Sequence, residues 1–413
     1  MIKNIFYLLL LSMSIGIAKA ATPIQAAALA NASGEYATEL KITIPLAQQG
    51  EAWAQSSLGD SYLHGKGVKQ NYVEAVKWYK LAAAQNHVVA QNNLGLMYSN
   101  GRGVKQDFVE SLKWFRRAAS QGEAGAQFNL GVMYAKGQGV EQDYIEAIKW
   151  YQLAAAQGEN NAQVNLGVMY AKGQGVKQDY KEAIKWYQLA ALQGGADVQL
   201  TLGLIYARGQ GVEKDFAEAL KWLKQSAAQG NSAAQFSIGV MFATGQGVKQ
   251  NYNDAMKWYR LAAAQGDTDA LYNLGLMYLD GQGVKQDYAE AANWFKKAAA
   301  QGKAGANFMV GLIYTAGQGV QKDDKEAMKW FRLAATQGDA DAQNMLGLIY
   351  ASGKSIPQDR LKAYMWFYLA EVKGAAEAKE NLNKIANQMS SIEITNVQKL
   401  AQDCLARNFK GCD

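Results

Sequence analysis

A fixed period of 36 residues governs this chain. Nine of its ten tryptophans keep that spacing, at Trp78, Trp114, Trp150, Trp186, Trp222, Trp258, Trp294, Trp330 and Trp366. A glycine series that starts at Gly59 and ends at Gly347 runs in the same register. Self-similarity of this length builds a protein from one supersecondary unit used many times. No unit buries its apolar face alone, so stability comes from stacked neighbours. The repeat overrides the two or three domains that 413 residues would otherwise suggest. Nine units fill residues 51–374 without an insertion or deletion.

The unit 123–158 reads EAGAQFNLGVMYAKGQGVEQDYIEAIKWYQLAAAQG. Ala126, Leu130 and Tyr134 recur every four residues and mark one face of a first helix. Gly131 beside them clears space for another helix. After the turn Gly137-Gln138-Gly139-Val140, Asp143 and Glu146 have the spacing of a capping box at the start of a second helix. The apolar arc of that helix, from Tyr144 through Trp150 and Tyr151 to Ala155, is too wide for one partner. It must also pack on the next unit. Gln157-Gly158 closes it, glycine being common just past a helix end. Each unit is thus an expected helical hairpin.

The ends follow from the same register. Residues 21–50 read as a capping half-repeat, in which 34–50 supply a lone second helix. Residues 375–413 read as C-terminal capping helices, at about 375–388 and 392–407, with a cysteine-bearing tail. None of Pro23, Pro45 and Pro357 falls in a helix of the regular array.

The frame AQ..LG.MY..G.GV.QD..EA.KW...AA.QG resembles the Sel1-like repeat family, a relative of the tetratricopeptide repeat, across residues 51–374. The half-repeat at the start and the cysteines at the end also look like exported bacterial members. The resemblance implies an all-α, right-handed α/α superhelical solenoid of nine hairpins with capping helices at both ends. It also implies an adaptor or scaffold without catalytic residues.

Lys3, an apolar run over 5–17 and Ala18-Lys19-Ala20 have the layout of a secretory signal peptide at 1–20. The run is shorter than the roughly 20 residues of a spanning helix, and no later stretch is apolar enough, so no membrane span is expected. The mature protein is expected to be exported, periplasmic or secreted. Losing Lys3 and Lys19 lowers the formal charge from +6 to +4, a mild balance that argues against nucleic-acid binding. In an exported chain, Cys404 and Cys412 are expected to pair as a disulfide.

Candidate chemistry dissolves into the repeat. The glycine turn follows a helix and lacks the Lys-Ser/Thr of a phosphate loop. It occurs in eight of nine units, so it turns the chain and cradles no nucleotide. His64 and His87 are too few for a usual metal cluster. The Asp–Glu pairs repeat regularly at second-helix starts, in six of the nine units, and read as caps, not acid–base dyads. Some cysteine-rich relatives carry a β-lactamase designation, yet the Ser-x-x-Lys nucleophile motif is absent. No catalytic residue, metal or cofactor is expected. The phased tryptophans read as packing, each burying roughly 150–250 Å². The lysines at Lys149 and Lys185 read as a solvated stripe.

In related solenoids the first helix of each unit lines a concave groove. The residue before the repeat leucine faces it, and here supplies Asn93, Asn129, Asn165 and Asn273. An amide offers both donor and acceptor to an extended backbone. Phe128, Val132 and Val168 share the groove as an apolar floor. The opposing reading is that these residues only pack on neighbouring first helices. The groove suits a protein or peptide partner in the cell envelope. Binding of cell-wall glycan, peptide or a cell-wall enzyme is the alternative, and a β-lactamase-like hydrolase a more distant one.

Overall fold

The computed structural model describes residues 21–407 apart from Ser355, together with Phe409 and Cys412. The expected signal peptide, 1–20, lies outside the described residues. Among the described residues there are 22 helices and no strand. The chain divides at Gln193/Gly194 into two compact units.

The first unit opens with helices Pro23–Ala32 and Tyr36–Gln48, followed by four hairpins that begin with Ala52–His64 and Tyr72–Ala84 and end with Asn160–Lys172 and Tyr180–Leu192. The second holds five hairpins, from Ala196–Arg208 and Phe216–Ala228 to Ala340–Ser352 and Arg360–Val372, then Ala378–Ala386 and Ser391–Ala406. Every hairpin helix has 13 residues. The first and second helices of a hairpin are called A and B below. Within each unit, every helix of the array packs on the one before and the one after.

The hairpin Ala124–Lys136/Tyr144–Ala156 shows why the sequence takes this form. Glu123 accepts from the Ala126 amide and starts helix A. Leu130 and Met133 of helix A pack against Leu112, Phe115 and Ala118 of the preceding helix B, while Phe128 and Val132 join the cluster of Ala147, Ile148 and Tyr151 on helix B of the same hairpin. The Tyr151 ring lies on Gly131, where a Cβ would come within 2.5 Å of it. Helix A ends at Gly137, whose φ of 68° is left-handed and suits glycine. Gln142 Nε2 then donates to the Ala135 carbonyl (2.7 Å) and closes the turn. Asp143 accepts from the amides of Ile145 and Glu146 (2.9 and 3.0 Å) and starts helix B.

Neighbouring hairpins are joined by a glutamine clamp. Gln157 Nε2, just past helix B, donates to Gln127 Oε1 (2.8 Å) and to the Gly122 carbonyl (2.9 Å). Gln127 in turn donates back to the Ala119 carbonyl of the preceding B helix (3.4 Å). The second turn glycine, Gly139, presses on that earlier hairpin, where a Cβ would meet the Phe108 carbonyl at 2.4 Å.

Three expectations need correction. The Asp–Glu pairs of the repeat do not form capping boxes: Asp143 caps, but Glu146 turns outward to pair with Lys149 (2.9 Å) on exposed surface. Among the described residues, complete boxes occur only outside the repeats, at Thr22/Gln25 and Ser390/Glu393. A lysine three residues on gives the glutamate a charged partner, which the helix start, already satisfied by aspartate, does not need. Second, the tryptophans are less deeply packed than expected. Only Trp222 and Trp366 are buried; the other seven are half-buried at the seam between repeats. Third, the N-terminal cap has two helices where one was expected; Pro45 lies inside the second, in the cap and outside the regular array as expected.

Candidate interaction face

The A helices position every candidate groove residue. Six of the seven belong to the first unit: Asn93, Phe128, Asn129, Val132, Asn165 and Val168. Asn273 belongs to the second. All seven are half-buried, so each combines internal packing with an accessible edge. Phe128 sets its ring 5.9 Å from that of Tyr151 and helps close its hairpin, and Val132 packs on the same cluster. They form a floor that is partly core.

The asparagines have internal partners. Asn93 Nδ2 donates to Asp60 Oδ1 (3.1 Å), and Asn129 Nδ2 to Asn92 Oδ1 (3.3 Å) one repeat earlier. Asn165 hydrogen-bonds the Tyr151 hydroxyl, whose pKa burial pushes up to about 12. Asn273 Nδ2 donates to the Asp269 carbonyl of its own helix (2.9 Å). For Asn93, Asn129 and Asn273 the donor end is thus held, while the carbonyl end retains acceptor capacity for a peptide N–H.

Sequence reasoning passed over Asp60, two residues past the centre of the first hairpin's A helix. It begins the column that Leu96, Val132 and Val168 continue, and a charge in an apolar column was the available signal. Fully buried Tyr79 donates its hydroxyl to Asp60 Oδ1 (2.5 Å). Burial raises the Asp60 carboxyl above the usual aspartate value, and burial with that carboxylate nearby raises the Tyr79 phenol. His87 accepts the Ala90 amide at Nδ1 (3.3 Å) and caps Val88–Asn100, and burial lowers its pKa. Glu39, 1% exposed, accepts from Asn31 Nδ2 (2.8 Å) and Ser57 Oγ (2.6 Å).

Elsewhere the surface is chemically plain. Among the described residues, no group of three or more His, Cys, Asp or Glu side chains is placed to hold a metal. No described helix is long and apolar enough to cross a membrane. Cys404 and Cys412 form a disulfide with a Cα–Cα distance of 5.5 Å.

The family model of the Sel1 repeat matches nine segments, from 54–87 to 340–371, each abutting the next. Two solved structures are similar at 34% identity. One is c5321, a protective antigen of uropathogenic Escherichia coli strains displaying an SLR fold; the match covers 91% of this chain and 89% of that one, with a TM-score of 0.59. The other is a Sel1 repeat protein from Oxalobacter formigenes, covering 75% of this chain and 90% of that one, with a TM-score of 0.61. A search of the curated proteins returned no match.

Proposed function

The chain belongs to the Sel1 repeat family, and from that premise we propose that it is an exported, non-catalytic scaffold that binds a protein or peptide along its A-helix face. The carrying observation is the half-buried row in the first unit, where successive repeats present an amide beside an aliphatic or aromatic side chain. An extended peptide or a partner helix would lay apolar side chains on Phe128, Val132 and Val168. The asparagine carbonyls would take its N–H groups. Affinity would accumulate over several repeats, each contributing modestly. The signal-like leader and the disulfide support export to the periplasm or beyond. The similarity to a protective antigen fits a location outside the cytoplasm.

A cross-linking pull-down from the cell envelope tests the reading, with wild type and Asn129→Ala/Asn165→Ala chains in parallel. A protein captured by the first and lost from the second, at unchanged helicity, is the expected result. Equal capture by both would remove the face as the binding surface. Recovery of cell-wall fragments without protein would shift the ligand class to glycan.

A further inference from the structure

The repeat register singles out one polar pair. A column on helix A faces a ring on helix B, and the two vary together. Leucine meets phenylalanine in Leu96/Phe115 and Leu312/Phe331; valine meets tyrosine in Val132/Tyr151 and Val168/Tyr187. In the first hairpin alone the pair is Asp60/Tyr79. Asp60 Oδ1 accepts from Tyr79 Oη and Asn93 Nδ2. Among the described residues Oδ2 accepts no hydrogen bond, and no lysine or arginine forms an ion pair with the carboxylate. His64 and Lys66 act on the carboxylate only through space, and a partly desolvated carboxylate without a direct ion pair opposes stability where its counterparts are simple hydrocarbon.

Asp60 also lines a cavity of about 280 Å³. Leu63, Leu96 and Met97 contribute aliphatic surface to it, and His64, Asn93, Asn100 and Arg102 complete the lining. Arg102 stacks over the Tyr72 ring at 5.8 Å and leaves Asp60 unpaired. His64 Nδ1 donates to the Asp60 main-chain carbonyl (3.0 Å), not to its carboxylate. One unpaired carboxylate among three aliphatic side chains is complementary to a cation on a hydrocarbon stem. The stem would take the place of water against Leu63, Leu96 and Met97, and the charge would complete Asp60.

We propose that this cavity receives a lysine or arginine side chain of the partner held along the A-helix face; the proposal rests on that face being the binding surface. The chain beginning at Ala21, labelled at leucine and methionine methyls, is titrated with the N-acetyl methylamides of lysine, arginine and norleucine. Saturable shifts at Leu63, Leu96 and Met97 are expected with a basic amide and not with norleucine. Which basic amide binds tells ammonium from guanidinium. Asp60→Asn should weaken the binding about tenfold or more. Arg102→Gln, the residue of the central repeats at this place, should tighten it by removing a competing cation. No saturable shift, an equal response to norleucine, or unchanged binding by Asp60→Asn would overturn the proposal.

A second arm reads stability alone. Asp60→Leu with Tyr79→Phe writes the Leu96/Phe115 pair into the first hairpin, and should raise the melting temperature as it abolishes probe binding. A lowered melting temperature would show the pair to be structural and sink the proposal. The Asn129→Ala/Asn165→Ala chain, altered only in later repeats, should bind the lysine amide like wild type. Failure of the face and failure of the cavity therefore give different results.

Discussion

The two ends of the repeat array solve one problem in opposite ways. A terminal hairpin leaves a helix face without a neighbour, and something else must cover it. At the C-terminal end the cover is dry. Trp366, Phe367 and Leu369 of the last B helix are at most 2% exposed, in a cluster with Leu382, Ile385, Val397 and Phe409. At the N-terminal end the cover is an alanine-rich helix, Pro23–Ala32, and a second helix that buries Glu39. A cavity of about 330 Å³ remains there, lined by Ile24, Ala27, Asn31, Glu39 and Trp53 among others, and the Asp60 cavity lies in the next hairpins. One end is built for closure; the other keeps charge and open space inside its packing. Ending an array does not require either carboxylate, so their presence invites a reason beyond stability.

The largest expected effect tests the dry end. Trp366→Ala should cost about 3–5 kcal/mol, the range for a fully buried aromatic. The half-buried Trp150, truncated alike, should cost clearly less. Equal losses in urea unfolding would erase the distinction between terminal and internal tryptophans. Next comes the tail: replacing Cys404 and Cys412 by serine opens a bridge of sequence separation 8. The chain-entropy view gives a loss of about 2–3 kcal/mol. Alkylation of both thiols in the unreduced wild type would contradict the bridge directly.

Internal repeats give smaller numbers. Gly131→Ala drives a Cβ to 2.5 Å from the Tyr151 ring, and overpacking of this kind costs about 1–3 kcal/mol. Asp143→Ala removes the acceptor for two helix-start amides and should cost about 1 kcal/mol. The smallest effect probes the wet end. Folding raises the Asp60 pKa above its ordinary 3.8, so the folded state holds that proton more tightly than the unfolded chain. Stability is therefore lost as pH rises through the raised value. Asp60→Asn lacks this slope, so its stability relative to wild type should grow between pH 4 and pH 7. A constant difference in melting temperature would mean that Asp60 is not desolvated.

The fold was legible where its causes are local. Gly137 and Asp143 act on their own turn, so spacing alone reveals a hairpin. The length of the A and B helices follows from the same marks. The tryptophan phase was legible as well, but not the depth of burial, because that depends on a neighbour's contour. Glu146 was misread because two partners lay three residues away in opposite directions. Pro23–Ala32 escaped notice since PIQAAALANA carries no contrasting faces. The asparagine row could be read as a column, yet its internal bonds to Asp60 and Asn92 join different repeats and leave no mark in spacing. Asp60 kept the register but broke its chemistry, a charge in a column of leucine and valine. Attention to what repeats hid the residue that does not.

The docking of Gly139 on the Phe108 carbonyl gives the array a direction. At Gly67, Gly103, Gly139, Gly175, Gly247, Gly283 and Gly319 the turn settles against a helix start that was synthesised one repeat earlier. A chain emerging from its N-terminus always has that surface ready, and no turn waits for a segment still to be made. Growth of the folded part can then run as a one-way ratchet, hairpin after hairpin, in the order of emergence. An array permuted or started from its C-terminal end would lose this template, and would have to find its first turn unaided.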